Sequence, residues 1–501
     1  MPDERSPQST AKLQSKATGS SPFATNVLKL ASGSVIAQAL GIILIPIITR
    51  LYSPGDYGIF QLFLSISSIL AVLSCFSYQM AIMLPKEDED SANIVALCFI
   101  LVCITSIISG GVFILLSGWV GKALNVPDIS HYMIFLPVVV FLNGLFLVMN
   151  YWLSRRVRFG AIAMARVANS VSGKVFQIGI GLGPASPLGL IAGLIAGYGA
   201  ALLVMLRGIR GDLSLFMAAS PGDMKRLAVR YRRFPIFTSW SAVANSVSLQ
   251  VAPLMLAAFF SPVVVGHYGM AHTVVNLPMS LIGSAIGQVF FQKASEEKNR
   301  TGSVKTFVRE VHQRLVSIGI FPILVLMIIR EELFALVLGA QWGTAGKYAC
   351  ILAPWIFLVF IASPLSTIFS VLEKQTVGLA FNLMVLFSRV VVLYVGGVYG
   401  NPIVALVLFS ITGVFFWGWM NLYILKISGV PYKTGLEDFL RIFMVALAVA
   451  IPLIIVKYLL LPLYILLIVA GIVTCIYYAF VISRDPILKK EFMGILEGVR
   501  P

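Results

Sequence analysis

The chain has 501 residues, of which 58% are hydrophobic and 12% charged, with a formal charge of +16 and a mean hydropathy of +0.93. A soluble domain carries roughly 25% charged residues, so a soluble globular enzyme is excluded. Uncharged apolar runs recur from Val27 almost to Ile482, and most reach the ~18 residues that span a bilayer core. They are too long and too unbroken for barrel strands of about 10 alternating residues, so they are read as helices with internally satisfied backbones.

In chain order, residues 1–26 are polar and rich in Ser, Thr, Lys and Gln, the composition of a disordered cytoplasmic tail. The first apolar run is too long for a signal-peptide core and lacks a small-residue cleavage site, so it is expected to be retained. About fourteen transmembrane helices follow, near 27–49, 57–84, 92–117, 131–153, 160–181, 187–206, 234–259, 265–291, 315–338, 348–372, 376–396, 402–425, 439–460 and 462–483. With the N-terminus placed in the cytoplasm, the opposite side holds five of the 37 Lys and Arg: Arg50, Lys122, Arg330, Lys347 and Lys457. Three lie inside spans (Arg166, Lys174, Arg389), and the other 29 fall on the cytoplasmic side. That asymmetry is the positive-inside pattern, so the basic charge reports topology and no nucleic-acid partner is implied. Both termini are then cytoplasmic. The five cysteines all sit in apolar runs without metal or disulfide spacing, and no metal or cofactor is expected.

Two basic segments, 207–233 and 293–314, punctuate the chain. The first separates a lobe at 27–206 (helices 1–6) from a lobe at 234–425 (helices 7–12). Residues 426–501 add helices 13–14 and a cytoplasmic tail. The lobes share a local pattern. Pro46 precedes Ser53-Pro54 and Tyr57-Gly58, while Pro253 precedes Ser261-Pro262 and Tyr268-Gly269. Six helices per lobe make the repeats parallel about an axis along the membrane normal, an architecture that places a transport path between lobes. The outer loops near 118–130 and 339–347 are too short to fold independently.

Polar residues inside spans carry the functional signal. On the fifth helix Arg166, Asn169, Ser170, Gly173, Lys174 and Gln177 share one face. Further polar stripes run along helix 1 (Ser34, Gln38, Gly41, Thr49), helix 2 (Gln61, Ser65, Ser68, Cys75, Gln79) and helix 7 (Thr238, Ser241, Asn245, Ser248). Helix 8 adds His272, Asn276, Ser280, Gly283 and Gly287, and helix 11 adds Asn382 and Arg389. Such stripes also serve plain helix packing, and Arg166 and Arg389 have the alternative of snorkelling to an interface. Lys174 is different: no acid lies deep in any span to pair with it, and an intramembrane cation must face protein or a wet cavity. A negatively charged substrate is the economical counter-ion. Candidate substrate contacts are therefore Lys174, Arg166, Arg50, Arg389, Gln177, Asn245 and Asn276. For a coupling ion the candidates are His272, His267 and the Glu331–Glu332 pair, with His272 first.

Four segments carry a family resemblance. Ile48-Thr49-Arg50-Leu51-Tyr52-Ser53-Pro54 with Tyr57-Gly58 resembles the start of bacterial oligosaccharide flippases of the multidrug/oligosaccharidyl-lipid/polysaccharide (MOP) exporter superfamily. Trp152-Leu-Ser-Arg155-Arg156-Val-Arg158-Phe159, Arg230-Tyr-Arg-Arg233-Phe234-Pro235, and Leu338-Gly339-Ala-Gln-Trp342 with Pro354-Trp355 resemble later parts of the same family. The resemblance implies an all-α polytopic fold of the bacterial inner membrane, with two pseudo-symmetric six-helix lobes plus a C-terminal pair. It further implies alternating access, and an undecaprenyl-diphosphate-linked oligosaccharide as substrate for O-antigen, capsule or exopolysaccharide assembly. Membrane lipids and the polysaccharide polymerase and export machinery are the implied partners. A diphosphate would attract Arg166, Lys174 and Arg50.

Two other functions compete. A drug exporter of the same superfamily would carry intramembrane carboxylates where this chain carries cations. A membrane-embedded polysaccharide polymerase would need paired acids or an Arg/His set on sizeable loops, which the short outer loops do not offer.

Overall fold

The computed structural model describes residues 38–372 and 375–485. The polar tail, the first eleven residues of the first expected span, with Ser34 among them, and the C-terminal tail lie outside the described residues. Every element is helical, with no strand among the described residues. The helices, numbered in chain order, are α1 (Gln38–Leu51), α2 (Pro54–Leu73), α3 (Asp88–Ala123), α4 (Ile129–Arg155), α5 (Phe159–Gly181), α6 (Pro187–Gly208), α7 (Phe234–Phe259), α8 (Pro262–Thr301), α9 (Lys305–Ile328), α10 (Ala340–Leu365), α11 (Gln375–Val398), α12 (Pro402–Ile427), α13 (Tyr432–Tyr458) and α14 (Leu463–Arg484). Eleven of them are long and apolar enough to cross a membrane. The others are α1, short over its described residues, and α5 and α8, whose polar residues lower their hydropathy. The chain is a multi-pass membrane protein.

Two expected spans are broken. The helix expected over 57–84 stops at Leu73, turns through the left-handed Phe76 and Ser77, and resumes as a 3₁₀ turn at Tyr78–Met83. The one expected over 315–338 divides at Ile329 into α9 and a short helix, Arg330–Leu338.

The two faces of the helix array can be told apart by charge. On the far face, which holds Arg50, Lys122, Arg330, Lys347 and Lys457, four helices start with a cap-Pro pair. Ser53-Pro54 opens α2, Ser186-Pro187 α6, Ser261-Pro262 α8 and Asn401-Pro402 α12. Pro at the first helical position sacrifices no backbone bond. The Ser53 hydroxyl accepts from Asp56 N at 3.1 Å and Asp56 accepts back from Ser53 N at 3.1 Å, a reciprocal capping box. The capped helices are six apart in the count, and so is the packing. In the first lobe α3 packs on α4, α4 on α6, α5 on α6 and α2 on α4; in the second α9 packs on α10, α10 on α12, α11 on α12 and α8 on α10. The fold is therefore two pseudo-symmetric six-helix lobes. They meet where α2 packs along α7 and α8.

On the opposite, basic face, the Arg-rich turn after α4 closes the first lobe. Arg155 donates to Asp88 Oδ1 (3.1 Å) and to four backbone carbonyls, those of Ile82, Pro85, Lys86 and Glu87, at 2.8–3.3 Å. Buried Asp212 accepts from Trp152 Nε1 at 3.0 Å and pairs with Arg158 at 2.7 Å. The C-terminal pair is fastened to α9 by Arg309–Asp438 and Arg314–Asp485, each 2.6 Å, and by the Tyr477 hydroxyl on Ser317 O at 2.9 Å. A Lys457–Glu332 ion pair adds a tie on the far face.

Candidate substrate cavity

The far face is closed by a seam between lobes. The first turns of α2 and α8 cross at Gly58 and Gly266, each four residues after its proline. A Cβ on Gly58 would lie 1.8 Å from Pro262 O, and one on Gly266 would lie 1.8 Å from Pro54 O. Only two glycines allow this approach, and its reciprocity is that of a two-fold contact. The repeat therefore aligns Gly58 with Gly266, not with Gly269 as the Tyr-Gly pairs suggest; Gly269 instead receives the side chain of Gln61.

The C-terminal carbonyls of α1, left without helical partners, are met by the first turn of α10. Trp342 Nε1 donates to Thr49 O at 2.7 Å, and Gln341 Nε2 donates to Thr49 O at 2.8 Å and Tyr52 O at 3.2 Å. Gly339 (φ +110°) makes the turn that delivers them, a backbone shape open to glycine. Tyr57 and His267 stand edge-on to the Trp342 ring at 5.7 and 5.8 Å. Arg50 belongs to this seam: it donates to Pro46 O (3.0 Å) and Leu336 O (2.9 Å).

Below the seam lies a cavity of about 310 Å³ between lobes, contributed by α1, α2, α5 and α8. Its polar lining is Gln38, Thr49, Tyr57, Ser170, Lys174 and Thr273, with no acidic side chain among the described residues. Lys174 is half-buried and donates to Gln177 Oε1 at 3.1 Å. Gln177 is in turn fixed by Nε2–H donation to Leu190 O at 3.2 Å, while its backbone carbonyl accepts from the Tyr52 hydroxyl at 2.7 Å. The polar stripe of α5 thus divides. Asn169, Gly173 and Gln177 pack against Gly193 and Gly197 of α6, and Ser170 and Lys174 face the cavity. Its volume is at the low end of ligand sites and suits a polar head group.

A family model described as "Polysaccharide biosynthesis protein" matches residues 47–346, more than half of the chain. The chain belongs to that family. Among solved structures, "Lipid II flippase MurJ, inward closed conformation" superposes with TM-score 0.72 at 11% identity, covering 91% of this chain and 99% of that one. An inward-facing multidrug resistance MATE family transporter of the MOP superfamily gives TM-score 0.56 at 14% identity, over 79% of this chain and 100% of that one. A MOP superfamily transporter from Pyrococcus furiosus gives 0.54 at 12%, over 80% and 95%. At these identities the likeness is one of fold alone. No curated protein sequence matches.

In this polysaccharide biosynthesis protein the remaining candidate residues spread widely. Arg166 is half-buried on α5, about 12 Å along the axis from Lys174 toward the basic face. Arg389 sits within the second lobe: it donates to Ser248 O at 2.9 Å and lies over the Trp355 and Phe409 rings, each at 5.5 Å. His272 is stacked between Tyr268 (5.9 Å) and Trp355 (6.3 Å) in the same cluster. Asn276 is half-buried one turn beyond Thr273 on α8, and Asn245 is exposed on α7. Sequence reasoning omitted Tyr57, Gln38, Ser170 and Thr273 as site residues. Gln38 and Ser170 were visible as stripe members, whereas Tyr57 and Thr273 are placed there by the lobe contact alone.

Proposed function

We propose that the protein is a flippase, not an enzyme, that moves undecaprenyl-diphosphate-linked oligosaccharide repeat units across the inner membrane for polysaccharide assembly. In this reading the basic face and both termini are cytoplasmic. The lobes at 27–206 and 234–425 rock about the α2–α8 crossing, and the cavity opens to one leaflet at a time. The observation that carries the reading is Lys174, a cation on the wall of an inter-lobe cavity with no acid among the described residues of its lining. A diphosphate supplies the missing charge, and the adjoining hydroxyls and amides of Gln38, Ser170 and Thr273 suit sugar or phosphate oxygens. Arg166 extends the same path toward the basic face, and Arg50 acts on the seam, not on the ligand. A drug exporter for cations would require the opposite polarity. The family supports the pathway, and the MurJ-like fold supports a lipid-linked cargo.

The test is translocation of a fluorescent undecaprenyl-diphosphate oligosaccharide in proteoliposomes. A hydrogen bond to a charged group contributes about 1.5–3 kcal/mol, so Lys174→Ala should slow translocation by roughly 10- to 100-fold with folding unchanged, and Lys174→Arg should retain most of the rate. Equal rates for Lys174→Ala and wild type would end the proposal.

A further inference from the structure

A second cavity lies elsewhere. A cleft of about 470 Å³ opens between α9, α13 and α14 at the basic face. Three arginines line it: Arg314, Arg441 and Arg484. Each is the charged residue of its helix that borders the apolar span on this face. Beyond Arg314, α9 is uncharged to its end; beyond Arg441, α13 is uncharged as far as Lys457; and α14 carries no charge before Arg484. The cleft therefore sits at the boundary between head groups and acyl chains. Its membrane-side wall is apolar, formed by Ile442, Val445, Phe480 and Val481.

The acids in the cleft are already engaged. Asp438 takes both of its bonds from Arg309, at 2.6 and 2.9 Å, and Asp485 and Glu310 pair with Arg314 at 2.6 and 3.8 Å. Arg441 and Arg484 are exposed and have no carboxylate partner among the described residues; the Arg484 guanidinium lies 5.2 Å from the Phe480 ring. Two guanidiniums without a carboxylate among the described residues, above an apolar wall, match a lipid phosphate with its chains below. The cleft is also on the outer flank of the second lobe, away from the Lys174 cavity, since none of its helices lines that cavity.

We propose that this cleft binds a membrane phospholipid with an anionic head group. Arg441 and Arg484 hold the phosphate, and an acyl chain lies along Ile442 and Val481. The lipid acts as a wedge that seats the C-terminal pair on α9. The proposal is independent of the transported substrate.

The test uses the full-length purified chain in a neutral detergent. Bound lipid is counted by native mass spectrometry and Tm is read by thermal unfolding. The probes are phosphatidylglycerol, phosphatidylcholine, a polyprenyl diphosphate and inorganic phosphate. The expected result is retention of phosphatidylglycerol and a raised Tm, neither given by phosphatidylcholine or inorganic phosphate. Arg441→Gln with Arg484→Gln should weaken phosphatidylglycerol binding by about 10- to 30-fold and remove the Tm shift. Lys433→Gln, an exposed basic site on the same face, should leave both intact. Arg441→Lys with Arg484→Lys should bind more tightly than the glutamine pair, which guards against a folding defect. The proposal is overturned if the glutamine pair binds phosphatidylglycerol as wild type does. It is also overturned if phosphatidylcholine or inorganic phosphate serves equally, or if these arginines select the polyprenyl diphosphate over phosphatidylglycerol.

Discussion

Replacing Gly58 by alanine should open the far-face seam. The added methyl would sit 1.8 Å from Pro262 O and 2.6 Å from Pro262 C, against an ordinary contact of 3.4–4 Å. Both obstacles are backbone, so no rotamer relieves them, and the helices must part by roughly 1.5 Å at the crossing. Overpacking of this kind costs about 1–3 kcal/mol. The upper end applies when only rigid atoms can yield, so the closed seam should lose about 2–3 kcal/mol, a 30- to 150-fold change in its population. A cysteine at Ser170, inside the cavity, reports the change through a membrane-impermeant maleimide added from the far face. Ser170→Cys should be protected in the parent, and labelled at least tenfold faster when Gly58→Ala is added. Gly266→Ala should behave alike. The pair together should do little more than either alone, because both act on one contact. Gly111→Ala, with nothing within 4 Å of its Cβ position, is the neutral control. Parent-like labelling and parent-like transport in a well-folded Gly58→Ala protein would refute the idea that this crossing governs closure.

Two further outcomes follow from the basic face. Arg155→Ala removes five donor contacts from the turn before α3 and should destabilise the first lobe by about 2–4 kcal/mol; thermal unfolding should fall, with transport per folded molecule unchanged. Ser220 caps the helix Pro221–Arg230 by accepting from Asp223 N, and the Ser220 hydroxyl, then Arg226, hold the Asp223 carboxyl below the usual value of 3.8. A depressed carboxyl stabilises the folded form above that ordinary value and loses the contribution as pH falls through its own lower one. Protection factors over 221–230, the exchange rates corrected for their intrinsic pH dependence, should therefore fall on acidification in the parent and vary less with pH in Asp223→Asn.

The spans and the lobe count were legible because lipid forces long apolar helices and six-helix units recur. The cavity was legible only in part. Helical periodicity put Lys174 and Gln177 on one stripe, yet a stripe is broad enough to touch two neighbours, and only packing assigns Gln177 to α6 and Lys174 to the cavity. The Ser-Pro turns marked both lobe starts, but the eye aligned tyrosines, whereas the crossing requires a missing Cβ and so selects Gly58 and Gly266. Thr49 and Trp342 both stood in noticed motifs; their contact spans 293 positions, and nothing local announces it. The boundary arginines of α9, α13 and α14 were visible as charges, but not their convergence.

α8 is a single helix of 40 residues, about 60 Å long at 1.5 Å per residue, twice the thickness of the hydrocarbon layer. In the proposed rocking motion its fulcrum is Gly266, and the arm beyond it, packed on α10 at Gly283 and Gly287, runs 35 residues to Thr301, roughly 50 Å. A swing of about 5° at the fulcrum carries the far tip some 4–5 Å, while the pivot itself hardly shifts. Pro278, which interrupts the backbone bonding partway along this arm, is the natural elbow. The lever ratio converts a sub-ångström slip between two glycines into a displacement as wide as a sugar ring.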